Sequence, residues 1–182
     1  MSGAICGVIP AVNDFNELRA FLKSEYPRCV LMHWKISDLD KVFPAVSAAG
    51  KSALIHSDLT GGLESSPEGI EYLVRRFAPE GIISTKPSAV SAAKELGVTA
   101  VQRVFLIDSA ALAKSEASVL RSAPDYVEFL PAPCPSIFPR LASAFNVPLI
   151  AGGLISSAAE AEEILSHGEI EAVTVSMATL KG

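Results

Sequence analysis

The segment Gly81-Ile82-Ile83-Ser84-Thr85-Lys86-Pro87 is an apolar run that ends on two hydroxyls and a cation. Packing inside a sheet gives no reason to finish a buried strand on lysine. A site at the strand's carboxyl end does, because open backbone groups and an ammonium there can hold an anion. Other apolar runs end in the same polar way. Leu54-Ile55-His56-Ser57-Asp58 puts His56 and Asp58 on one face by the two-residue period of a strand, and Ser57 on the other. Arg103 follows Gln102 in a fifth run, Glu128 stands between Val127 and Phe129 in a sixth, Gly152-Gly153 close a seventh, and Ser176 closes an eighth.

Two kinds of chemistry suit these residues. Glycines let a phosphate approach backbone N–H groups, and a helix N-terminus just beyond favours its charge. Gly152, Gly153 and Ser176 fit that role, with Lys86 adding a point charge; the plainer reading of the glycine pair is a tight turn. His56, Asp58, Arg103 and Glu128 can hydrogen-bond the hydroxyls of a polyol or move protons. The alternative for Arg103 and Glu128 is an internal ion pair with His56 as its neighbour. Asp58 leads into Leu59-Thr60-Gly61-Gly62-Leu63, a glycine-rich loop able to wrap a ligand. His56 and Asp58 lack a third metal ligand fixed by spacing, so no metal site is read and no cofactor is implied. Cys134 lies in the loop Pro131-Ala132-Pro133-Cys134-Pro135 near these ends, but no histidine partner can be identified for a catalytic thiol. Cys6 and Cys29 fall in predicted strands and are expected to be buried.

The elements that must position these groups alternate. Strand-like runs stand at Ala4–Ile9, Cys29–His33, Ala53–Asp58, Gly81–Thr85, Val101–Ile107, Tyr126–Leu130, Leu149–Ala151 and Ala172–Ser176. Their starts are roughly 20–30 residues apart, the period of a βα unit. Most are continuously apolar, as strands buried on both faces are. Helical signals fill the gaps: Asn13 as a cap, Ser66-Pro67 as cap and first turn, Pro87 as a start with Gly97 as a stop, and Ser156 as a start with Gly168 as a stop. Pro44 should kink or delay a helix over Asp38–Ala49. After the eighth strand, Met177–Gly182 leaves room for about one turn. The predicted fold is α/β: a small single-domain (β/α)8 barrel of the TIM type over residues 1–182, with a truncated last helix. An open doubly wound sheet is the competitor, and it normally uses fewer strands.

Composition agrees with a globular α/β chain: 49% apolar and 19% charged over 182 residues. No apolar run approaches the ~20 residues of a membrane span, and no basic segment precedes the first apolar run. Three cysteines without a framework suggest reduced thiols and a cytoplasmic protein. A net charge of −5 excludes a surface that is basic throughout, although a local basic patch is compatible with it. Arg75-Arg76 is the only adjacent basic pair.

Six ordered motifs carry a family resemblance: His56-Ser57-Asp58-Leu59 with Gly62-Leu63; Gly69-Ile70-Glu71-Tyr72-Leu73; Gly81 to Lys86; Gln102 to Ser109; Pro124 to Pro131; and Ile150-Ala151-Gly152-Gly153-Leu154-Ile155. The chain resembles, over nearly its whole length, the glycerol-3-phosphate-responsive antiterminators, the glycerol uptake operon antiterminator regulatory proteins. That resemblance implies a (β/α)8 fold and a glycerol-3-phosphate ligand. It also implies action on the leader mRNA of glycerol-utilisation genes to prevent premature termination, with no established catalysis. The family's polar strand-end positions carry over as His56, Asp58, Lys86, Arg103, Glu128, Gly152, Gly153 and Ser176. The chain departs from the family pattern at Ala132, where a glycine is usual, and at Thr174-Val175-Ser176, where Ser-Thr-Ser is usual. The competing expectation is an enzyme acting on a phosphorylated polyol or sugar, with Asp58 or Glu128 as its acid–base group. A sensor acting through a protein partner is a third reading. A homo-oligomer is compatible with all of them.

Overall fold

The computed structural model describes residues 4–132 and 134–181. Pro133, within the proline-rich loop singled out above, lies outside the described residues. Eight parallel strands close into a barrel in sequence order. They are β1 (Gly7–Val12), β2 (Arg28–Leu31), β3 (Ser52–His56), β4 (Gly81–Ser84), β5 (Thr99–Phe105), β6 (Tyr126–Leu130), β7 (Leu149–Gly152) and β8 (Ile170–Ser176). Helices α1 (Phe15–Lys23), α2 (Ile36–Ala48), α3 (Pro67–Phe77), α4 (Pro87–Glu95), α5 (Ser109–Ser122), α6 (Phe138–Phe145) and α7 (Ala158–Leu165) fill the connections. One 3₁₀ turn, Thr179–Lys181, follows β8 where an eighth helix would stand.

Closure follows from β8 pairing with β1, Val8 opposite Val173 and Ala11 opposite Ser176. β1 runs three residues later than the sequence suggested, because Pro10 does not end it. The carbonyl of Ala11 accepts from Met177 and that of Val12 from Met32, so alternate residues of β1 face alternate neighbours. Pro10 therefore turns its missing N–H toward β2, where pairing begins only at Ala11. Cys6 falls before the strand and is exposed, whereas Cys29 in β2 is buried as expected.

The helices start where local chemistry requires. Asp14, not Asn13, caps α1 by accepting from the N–H groups of Asn16 and Glu17. Glu17 reaches back to the Asn13 backbone and side-chain amides, completing a reciprocal cap. Ser66 caps α3 with Pro67 in its first turn, and Ser157, one residue later than expected, caps α7. Pro44 sits inside α2.

Apolar side chains pack in three groups. Inside the barrel, Ile9, Val30, Leu54, Ile83, Val101, Ile150 and Ala172 form a plug. Outside it, α1 to α4 cover the β1–β4 side through residues such as Phe21, Leu39, Leu73 and Val90. The β5–β8 side is covered through Phe138, Leu141, Phe145 and Ile164. Full burial of each large apolar side chain contributes about 1.5–3 kcal/mol. The plug closes the interior from below, so the next inward residue of each strand lies at the carboxyl-end mouth.

Candidate ligand site at the barrel mouth

Two residues up the chain from the plug, β3 brings His56, β5 Arg103, β6 Glu128, β7 Gly152 and β8 Thr174. Glu128 is fully buried. Its carboxylate accepts from Arg103 Nε at 2.6 Å, Arg103 Nη2 at 3.0 Å and Thr174 Oγ1 at 2.6 Å. Arg103 and Glu128 are thus the internal ion pair, with a fork geometry that fixes the guanidinium. Arg103 Nη1 has no hydrogen-bond partner among the described residues, and Arg103 lines a cavity of about 230 Å³. Asn13, Met32, Leu130, Gly153, Thr174 and Ser176 also line it. This space is smaller than the ~300–1,000 Å³ of drug-sized pockets and suits a molecule of a few carbons.

His56 is 3% exposed, and its Nδ1 has no partner among the described residues. Burial, and then the Arg103 guanidinium, lower its pKa to about 4, against the opposing carboxylates of Asp58 and Glu128. It is neutral at physiological pH. A neutral imidazole adds no second positive charge beside the Arg103–Glu128 pair.

The two glycines differ in role. A Cβ at Gly152 would strike Thr174 Oγ1 and come within 3.2 Å of Glu128 Oε1. Gly152 therefore makes room for the Thr174–Glu128 hydrogen bond. Gly153 has φ +77°, a left-handed conformation that favours glycine, and a Cβ there would lie 3.0 Å from Leu130 Cδ2. Its carbonyl accepts from Ala132, tying the β6 and β7 loops together. The N-terminus of α7 is less open to an anion than the sequence suggested. Glu160 in its first turn already accepts from the backbone and hydroxyl of Ser156. The Ser176 hydroxyl, at the cavity wall, accepts from the Ala178 N–H.

Asp58 and Lys86 stand apart from this cavity. β3 ends at His56, and Ser57–Leu59 form a 3₁₀ turn, so Asp58 does not continue the inward face as strand alternation predicted. Its carboxylate accepts from Ser84 Oγ at 2.6 Å, Thr85 N at 2.6 Å and Thr85 Oγ1 at 2.7 Å. Burial pushes its pKa up, but these bonds and one from Ser65 outweigh that and hold it below the usual range. Asp58 thus ties the β3 loop to the end of β4. Lys86 is the exposed residue before α4, and its backbone N–H donates to Ser84 Oγ. β4 and β8 are four strands apart in an eight-strand barrel, so Lys86 lies across the barrel end from Gly153 and Ser176.

Sequence reasoning missed Thr174, Asn13 and Met32. Thr174 was accessible to it, being one inward step before Ser176 on the same strand. Asn13 and Met32 directly follow the β1 and β2 ends, and the sequence offered simpler roles for them, a helix cap and part of an apolar run. Among the described residues no group of three His, Cys, Asp or Glu side chains could hold a metal ion, and no helix is long and apolar enough to cross a membrane. A larger cavity, about 550 Å³, lies between α5 and α6 beside Ala123, Pro124, Asn146 and Val147, at the amino ends of the strands. The mouth is the better candidate, because the buried Arg103, Glu128 and Thr174 meet at its wall.

Fold and geometry define a small closed (β/α)8 barrel protein with its candidate site at the carboxyl ends of the strands. The family model for the glycerol-3-phosphate responsive antiterminators matches residues 8–180, and the chain belongs to that family. It is 30% identical to the glycerol uptake operon antiterminator regulatory protein of Listeria monocytogenes, with a TM-score of 0.88 over 96% of this chain and 94% of that one. A glycerol uptake operon antiterminator-related protein from Thermotoga maritima is 28% identical, with a TM-score of 0.83 over 98% and 100% of the two chains. The uncharacterized protein YgcP of Escherichia coli K12 is 31% identical over 163 residues, 90% of this chain and 85% of that protein.

Proposed function

We propose that the chain is a glycerol-3-phosphate sensor that regulates glycerol-utilisation genes by acting on their leader RNA in the cytoplasm. The observation that carries the ligand side is the cavity walled by Arg103, Gly153 and Ser176, with the Arg103 fork pinned by Glu128 and one guanidinium nitrogen unpartnered. The phosphate sits against Arg103 Nη1 and the Gly153 and Ser176 loops. The glycerol hydroxyls face Asn13 and Thr174. His56 and Glu128 set the charge and orientation of Arg103, and Gly152 keeps the Thr174 contact open. Asp58 holds the loop over the β3–β4 side, and Lys86 contributes only a distant charge. The family match supports the RNA side.

The enzyme reading draws no comparable support. Both carboxylates it would use are engaged: Glu128 by three donors without exposure, and Asp58 by donors outside the cavity.

Isothermal titration with glycerol-3-phosphate, glycerol and inorganic phosphate tests the ligand assignment. Binding of the phosphorylated polyol should exceed that of either fragment, and Ser176→Ala should weaken it more than Lys86→Ala. Gel-shift titration with a glycerol-operon leader transcript, with and without glycerol-3-phosphate, tests the RNA side. Turnover of glycerol-3-phosphate together with no RNA binding in either state would overturn the proposal.

A further inference from the structure

The polar groups that line the mouth cavity divide into donors and acceptors. Asn13, just past β1, is half-buried on its wall. Asn13 Nδ2 donates to Glu17 Oε2 at 2.9 Å, and the Asn13 backbone N–H donates to the same oxygen at 2.7 Å. A carboxylate only accepts, so the NH2 is the side of the amide that faces Glu17. Asn13 Oδ1 is turned away from Glu17. It has no hydrogen-bond partner among the described residues, and it is not one of the enclosed unpartnered atoms. Thr174, on the same wall, gives its hydroxyl proton to Glu128 Oε1 at 2.6 Å. Toward the cavity that oxygen can only accept.

Two carboxylates that do not themselves line the cavity thus turn its two neutral groups the same way, acceptor inward. The donors are different residues. Arg103 keeps Nη1 for a ligand. Ser176 Oγ accepts from the Ala178 N–H, which leaves its own proton to donate. Donors suit phosphate oxygens, which accept. The two acceptors need O–H groups, one each. A ketone or aldehyde oxygen offers only lone pairs. Set against Asn13 Oδ1 or Thr174 Oγ1, it meets another acceptor with no proton between them.

We propose that Asn13 and Thr174 make the site select the alcohol over the carbonyl form of a three-carbon phosphate. The proposal rests on the glycerol-3-phosphate reading above and adds what the site rejects. Glycerol-3-phosphate carries one hydroxyl for each acceptor. Its ketone counterpart, dihydroxyacetone phosphate, keeps one hydroxyl and puts a carbonyl in place of the other. The two molecules share carbon number and phosphate, so neither the size of the cavity nor Arg103 tells them apart. Only the inward-facing acceptors do. The sensor then responds to the polyol phosphate and not to the triose phosphate of the same skeleton.

Isothermal titration with glycerol-3-phosphate and dihydroxyacetone phosphate tests this in wild type, Asn13→Ala and Thr174→Val. Wild type should bind the alcohol about tenfold more tightly or better, the loss of one hydrogen bond together with an unmatched acceptor. Each substitution should weaken glycerol-3-phosphate about tenfold. The one opposite the secondary hydroxyl should leave the ketone within about twofold, and so bring the two affinities together. Asn13→Ala leaves the Arg103–Glu128 pair and its Thr174 donor in place, so it reads the site without disturbing the buried charges. A variant that only loosens the fold weakens both ligands alike and keeps their ratio. If wild type binds the two ligands within about twofold of each other, the selection proposed here is overturned while the glycerol-3-phosphate assignment stands. If wild type prefers the alcohol but neither substitution narrows that preference, other groups select and the assignment to Asn13 and Thr174 is overturned. If wild type binds neither ligand, the ligand reading and this proposal fall together.

Discussion

Replacing Glu128 with glutamine keeps the shape of the barrel mouth and removes its buried negative charge. The carboxylate accepts three hydrogen bonds, two from Arg103 and one from Thr174. A glutamine has one acceptor oxygen, and Arg103 donates to both carboxylate oxygens, so the NH2 must face a guanidinium N–H in either orientation. The hydroxyl can rotate to accept, but the guanidinium cannot. Arg103 is then left without a counter-charge at 6% exposure. Breaking a buried pair costs about 3–5 kcal/mol, and access from the cavity to Nη1 places Glu128→Gln near about 3 kcal/mol. Arg103→Met leaves the fully enclosed carboxylate with Thr174 alone and should fall near about 5 kcal/mol. The double variant removes both charges and should cost less than either single one. Against a total stability of about 5–15 kcal/mol, these losses are large and measurable. Urea unfolding of the four proteins, with the slopes compared, gives the coupling directly. Single losses below about 1 kcal/mol, or a double loss equal to their sum, would show that the pair is not the desolvated unit described here. The cycle also reports on the ligand. A phosphate against Arg103 replaces the missing charge, so glycerol-3-phosphate should stabilise Glu128→Gln more than wild type at equal concentration.

The mouth makes three further predictions. The His56 pKa is 6.5 unperturbed and about 4 when folded, so between those values the unfolded chain binds the extra proton and acid favours unfolding. Stability should fall as pH drops from about 6.5 to about 4, by up to about 3 kcal/mol, and His56→Phe should flatten that window in urea melts at pH 7, 5.5 and 4.5. An equal fall in the variant would exclude His56 as the cause. Asp58→Asn should lose about 1–2 kcal/mol, because one acceptor oxygen replaces two, yet leave glycerol-3-phosphate affinity within about twofold by calorimetry. A large loss of affinity would put Asp58 in contact with the ligand. Gly153→Ala should cost about 1–2 kcal/mol in thermal or urea unfolding from its left-handed backbone, and should weaken binding through the push on Leu130; unchanged binding would remove that loop from the phosphate site.

The sequence alone determined the barrel. Its eight apolar runs at βα spacing reflect strands buried on both faces, a property each run carries locally. Element boundaries were less legible. Pro10 reads as a stop until the strand is seen to face a neighbour that has not yet begun to pair. Which strand ends carry polar residues was also local information. It pointed to His56, Arg103, Glu128, Gly153 and Ser176, and these do face the mouth or its cavity.

Which of those groups meet was decided only by the closed sheet. The Arg103–Glu128 pair depends on the β5–β6 register, and its third partner, Thr174, comes from β8 only because β6, β7 and β8 lie side by side. Alternation predicted Asp58 beside His56, but the chain leaves the strand at His56 to satisfy the donors at the end of β4. Lys86 and Gly153 are equally polar endings in the sequence, and barrel closure sets them on opposite sides of the mouth. Local pattern fixes which residues reach a strand's carboxyl end. Which of them share a cavity is set by register and closure, and those belong to the whole sheet.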